Sequence, residues 1–263
     1  MLETIREYAL ERLEESDEGG ALKDRHARFY LAHAVQLDVE SVERKLPLDV
    51  RRALFEPERT NSLAALEHFR RTGDKLSEAQ LATSVLWIDW WWAPDEGRHW
   101  LGEAVTYDDV PHAIRARVLW AASRLARHAG ELTLDIELNE EQLKVLRLLD
   151  AKELVVRTLA RLAITSMFQG DHVRAGTALQ EAHVVATEVG TDLVRAFVAL
   201  GEAIVALYGV ASMTLNTPAS RRSIDSARPG LHQGSRAPSL PQARSGSSSH
   251  ASKMRRARSA KAS

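Results

Sequence analysis

Asp89 has the most unusual surroundings of any acid in this chain. It lies in LWIDWWWAPDEGRHWL, residues 86–101, between Ile88 and Trp90, with Trp87, Trp91, Trp92 and Trp100 in the same stretch. An acid buried among indole rings loses hydration in its charged form, so its pKa would rise toward the range useful for proton transfer. A lone perturbed acid does not define a catalytic site, and an exposed helix-face carboxylate is the simpler reading of Asp89. The ten histidines are scattered, without an HExxH pair or a tight His/Asp/Glu grouping that would hold a metal. The absence of cysteine removes thiol nucleophiles, thiolate metal sites and disulfides. No G-x-S-x-G elbow and no G-x-x-x-x-G-K-[ST] phosphate loop occurs. The expectation is therefore no catalytic residue, no cofactor and no metal. Asp89, Trp90, Trp91 and Arg98 form a candidate interaction face.

The elements that position these residues are helical. Leu81, Val85, Ile88 and Trp92 fall on one stripe, and Trp87, Trp90 and Trp91 on another. A helix apolar over so much of its circumference is usually wedged between neighbours, so the cluster reads as a structural joint to which Trp100 packs back. An aromatic ligand platform is the alternative. Pro94 followed by Asp95 and Glu96 is a helix start, with proline in the first turn and carboxylates near the positive end of the dipole.

The same periodicity runs through most of the chain. Leu2, Ile5, Ala9 and Leu13 recur at helical spacing before Gly19-Gly20. His26, Phe29, Tyr30, Ala34 and Leu37 are expected near one face of the next helix, and Leu63, Leu66 and Phe69 mark a helix ending near Gly73-Asp74. No alternating strand pattern appears. The spacing also repeats internally. LARLAITSMFQGDHVRAGTALQEA carries Leu159, Leu162, Ala163, Gly170, Asp171, Ala175, Leu179 and Ala182, the small and apolar positions of a tetratricopeptide hairpin. Similar patterns recur about forty residues on either side, at Leu119, Ala122, Ser123 and Gly130 and at Val198, Gly201 and Gly209, with Asp135 where alanine is expected. The fold expected is all-α: antiparallel helical hairpins stacked as a tetratricopeptide-like right-handed solenoid, with a disordered C-terminal tail.

Charge separates the body from that tail. From Thr214 to Ser263 there are ten Lys/Arg and one acid, Asp225, leaving 25 basic and 35 acidic side chains before them. An acidic body disfavours a nucleic-acid-binding main domain, and the tail lacks RGG units and interleaved aromatics, so nucleic acid would be held weakly and only there. Ala196 to Leu215 is apolar enough to resemble a membrane span. Its central Glu202 would cost roughly 2.5–3.5 kcal/mol in the bilayer, which favours a buried repeat helix. The N-terminus is charged and amphipathic, unlike a secretory signal, and a cytoplasmic protein is expected.

Three blocks together resemble a known arrangement. MLETIREYALERL followed by LKDRHARFYLAHA is similar to the junction after the nucleotide-binding module of bacterial STAND-type ATPase regulators, the LuxR-type and SARP-type transcriptional activators. EPERTNSLAALEHFRRTGD resembles the next block, with Glu58, Asn61, Leu63 and Leu66 on its recurring positions. LATSVLWIDWWWAPDEGRHWLGEAV resembles the first hairpin of the sensor region, with its Glu96-Gly97-Arg98-His99-Trp100-Leu101. The resemblance implies the last helix of a winged helix at 1–18, a helical linker at 19–75 and tetratricopeptide-like repeats at 76–211, before the basic Ser/Arg/Pro-rich tail at 212–263. It implies a non-catalytic protein-interaction module, a partial regulator lacking its nucleotide-binding domain, with a protein or small effector on the repeats. The rival is a piece of an ATP-dependent switch or DNA-binding regulator whose ATPase half is encoded upstream. Self-association is expected through Phe197, Leu200, Ile204 and Leu207, because the segment after them offers no apolar stripe to cover that helix.

Overall fold

The computed structural model describes residues 18–84 and 93–215, together with Tyr8 and Arg12. The segment expected to close a winged helix and the segment after Leu215 lie almost entirely outside the described residues. Among the described residues every regular element is helical. The chain divides into two compact units, Met1–Ala129 and Gly130–Ser263.

The first unit runs through α1 (Gly19–Glu43), α2 (Leu48–Phe55), a 3-10 turn (Glu56–Glu58), α3 (Arg59–Thr72), α4 (Lys75–Ala82), α5 (Pro94–Ala104) and α6 (His112–His128). α1 packs against α3 and α4, while α4 also meets α5 and α6. Leu66 and Phe69 are fully buried on α3, as their spacing predicts. Gly73 ends that helix at φ 74°, a left-handed C-cap. The next residue, Asp74, accepts from the Ser77 amide and starts α4. Pro94 lies in the first turn of α5 with Asp95 and Glu96, as expected. One expectation needs correction. Phe29 does not share the buried face of α1; it is 62% exposed, and Ala27 and Ala34, seven residues apart, are the fully buried pair. The helix approaches its neighbours on small residues, which turns Phe29 outward.

In the second unit, α7 (Leu132–Leu148), α8 (Lys152–Phe168), α9 (His172–Val189) and α10 (Asp192–Leu215) follow one another through short turns. The positive-φ residues Gly130, Asp150, Gly170 and Gly190 are spaced at twenty-residue intervals, so two helices fill the forty-residue period seen in the sequence. Aspartate tolerates the left-handed region better than most side chains, which accounts for Asp150 at φ 50°. α8 is central, packed by α7, α9 and α10. Leu159, Ala163, Ala175 and Ala182 are buried there, as the repeat pattern predicts. At Gly201 a Cβ would lie 3.0 Å from Leu179 Cδ2 and 3.4 Å from Ala160 Cβ, so α10 approaches its neighbours closely here and leaves room for no more than a small side chain. Gly209 is not the turn expected, because α10 runs through it to Leu215. Gly170 and Gly190 are followed by Asp171 and Thr191, whose side-chain oxygens accept amides of the next helix. Among the described residues no helix is long and apolar enough to cross a membrane.

Candidate functional site

Asp89, Trp90 and Trp91 lie outside the described residues, as do Trp87 and Trp92. Arg98, the fourth member of the expected face, lies on α5 and pairs with Asp95 one turn back at 2.7 Å. Pairs of this kind on a helix surface contribute about 0.3–0.5 kcal/mol. Trp100, two residues on, is buried.

Around Trp100 the structure assembles a charge cluster that no spacing in the sequence announces. Glu78 on α4 is only 1% exposed. Its Oε1 accepts from Arg70 Nη2 at 2.6 Å and from Arg70 Nε at 2.9 Å, a two-pronged contact from α3. Its Oε2 accepts from the Tyr107 hydroxyl at 2.8 Å. The Arg70 guanidinium lies over the Trp100 ring at 4.0 Å, a cation–π contact that covers its face. His99 Nε2 lies 2.7 Å from Arg70 Nη1; arginine only donates, so Nε2 accepts and the ring proton rests on Nδ1. Burial, reinforced by the Glu78 carboxylate, pushes the Tyr107 hydroxyl far above its ordinary range and keeps it a donor. Lys75 closes the rim through Asp109 at 3.2 Å, and Arg59 pairs with Glu96 at the start of α5.

Every strong donor and acceptor at the centre of this cluster is engaged, so it offers no free base, acid or nucleophile. What it does is mechanical. It ties α3, α4, α5 and the turn after α5 together, and so fixes the helix that follows the tryptophan stretch. The sequence held one signal for it: Glu78 shares a helix face with Leu81 and Ala82, an acid on an apolar stripe.

A second polar seam lies between α7 and α8. Asp135, Asn139 and Gln142 occupy one face of α7 and are all buried. Thr165 Oγ1 donates to Asp135 Oδ2 at 2.6 Å, and Asn139 Nδ2 donates to Asp135 Oδ1 at 2.7 Å. Thr158 and Arg161 donate to Gln142 Oε1 at 3.2 and 3.0 Å. The aspartate in place of the expected alanine is therefore a register device: sliding one helix along the other would strand buried polar groups. Among the described residues no group of His, Asp and Glu could hold a metal ion.

The open surface of the second unit is apolar in places. A cleft of about 400 Å³ at the Asp150 turn is lined by Ala151, Lys152, Glu153, Leu154 and Val189. Leu148, Leu149 and Val173 are exposed elsewhere on the same unit. No family model, curated protein or solved structure matches this chain.

Proposed function

We propose that the chain is a non-catalytic helical-repeat interaction module of the kind found in STAND-type transcriptional regulators. The observation that carries this reading is the twenty-residue recurrence of turns at Gly130, Asp150, Gly170 and Gly190. It generates helices of nearly equal length, and hairpins of such helices stack as a tetratricopeptide-like right-handed solenoid whose extended faces hold a protein partner or small effector. Large apolar side chains left in the open at Leu148, Leu149 and Val173 suit such contacts. The segment containing Asp89, Trp90 and Trp91, with Arg98 on the helix after it, is the candidate partner face of the first unit. The setting is the cytoplasm, which agrees with a chain free of cysteine.

Nucleotide is the discriminating ligand. The sequence has no Gly-rich phosphate loop with its lysine, so calorimetry of the purified chain with ATP and magnesium is expected to give no specific heat. A micromolar, magnesium-dependent affinity would refute the reading and restore a nucleotide-driven switch.

A further inference from the structure

The outward face of α10 is built differently from an ordinary solvent face. Its inward side is formed by Val194 and Val198, both buried, and by Gly201 against Ala160 and Leu179. At 3.6 residues per turn, Leu193, Ala196, Leu200, Ala203 and Leu207 fall within about 80° of arc on the opposite side. The three leucines are 59%, 54% and 68% exposed, and both alanines are exposed as well. A helix apolar on two opposite faces has a use for a second neighbour. The outward stripe is a strict heptad, with leucine at each first position and alanine at each fourth, the narrow seam of a two-helix pairing.

We propose that this seam joins two copies of the chain through an antiparallel pairing of α10 with α10. The pattern is self-complementary in that direction alone. With a two-fold axis near residue 198, Leu193 of one copy meets Ala203 of the other and Leu200 meets Ala196, large against small in each of these layers, while Leu207 lies beyond the paired stretch. A parallel pairing would stack leucine on leucine and leave gaps at the alanine layers. Ala199 and Ala206 flank the seam on one side, so the backbones can approach closely and no like charges meet there. Arg195 and Glu202, the nearest charges toward the middle of the helix, lie beyond those alanines on the same flank, about 120–140° from the centre of the stripe. Such a face-to-face contact is isologous and closed. The sequence after Leu215 supplies Pro218, Arg221 and Arg222 rather than a matching apolar stripe. The inference goes beyond the interaction-module reading. Its test reads association state rather than nucleotide heat, so either can fail alone.

The test uses the full chain. Sedimentation across a roughly hundredfold dilution series should show a reversible monomer–dimer equilibrium. Leu200→Glu should weaken that dimer at least about tenfold while far-UV circular dichroism keeps its helical signal. Because the chain has no cysteine, Ala199→Cys introduces a single thiol beside the two-fold axis. Mild oxidation should link two copies through it, and Glu202→Cys should not link them. A monomer at every concentration, a dimer indifferent to Leu200→Glu, or equal linking from positions 199 and 202 would each overturn the proposal. A monomer destabilised by Leu200→Glu would give the face to the segment after Leu215, and would overturn it equally.

Discussion

Glu78→Gln isolates the clamp around Trp100. The substitution keeps the shape and the Tyr107 contact, but leaves the Arg70 guanidinium, 17% exposed and stacked on an indole, without its buried anion and with the exposed Glu103 carboxylate 3.6 Å away. Removing one partner of a buried ion pair costs about 3–5 kcal/mol, because the remaining charge stays desolvated. Replacing both, as in Arg70→Met with Glu78→Leu, removes the stranded charge and should cost less than Glu78→Gln alone. The chain supplies its own probe, since all six tryptophans precede Gly130 and their fluorescence reports the first unit. Urea unfolding followed by fluorescence should shift strongly to lower denaturant in Glu78→Gln and recover in part in the double variant. A loss below about 1 kcal/mol, or a double variant worse than the single, would refute the argument that the cluster is a buried, mutually dependent pair.

Tyr107 adds a pH signature to the same cluster. Its hydroxyl ionises later in the folded protein than in the unfolded chain, so its stabilising effect is complete below about pH 10 and is lost as pH climbs toward the folded value. Alkaline unfolding of the first unit should therefore begin near pH 10, and Tyr107→Phe should flatten that dependence while costing about 1.5–3 kcal/mol at neutral pH. In the second unit, Thr165→Val removes a hydrogen bond to the buried Asp135 carboxylate, with an expected cost of about 1.5–3 kcal/mol. That loss should be seen by circular dichroism, with the tryptophan transition unmoved. Gly201→Val should destabilise by about 1–3 kcal/mol through overpacking against Ala160 and Leu179, whereas Gly201→Ala should be nearly neutral, since the Leu179 tip can shift.

The helical class and the turns at Gly73 and Gly170 were readable because each rests on local chemistry: an apolar period, a glycine at a helix end, an aspartate after it. What failed was the orientation of α1 and the end of α10. In α1, large aromatics suggested the buried face, but close helix packing selected Ala27 and Ala34 and left Phe29 outside. In α10, Gly209 copied the position of a turn glycine, yet the helix runs through it to Leu215.

The polar clusters were hidden for a different reason. Arg70, Glu78, Trp100 and Tyr107 are separated by eight, twenty-two and seven residues, intervals that belong to no motif. Their pairing exists only once α3, α4 and α5 have packed. Asp135 was visible as an anomaly, an acid at an alanine position, yet its meaning needed Thr165 from the facing helix. Both clusters spend buried polarity on alignment. Hydrophobic contacts between helices rich in alanine and leucine are tolerant of sliding, because one small apolar residue fits much like the next. A carboxylate with two fixed donors is not tolerant, since each displaced hydrogen bond leaves a buried group unsatisfied. In the second unit this matters most at α7 and α8, because α8 is the helix on which α9 and α10 also pack. The prediction that follows is specific to register. Asp135→Ala restores the residue the repeat pattern expects, yet it should loosen the α7–α8 pair and raise amide exchange along both helices before global unfolding. Unchanged protection in that variant would mean that apolar packing alone sets the alignment.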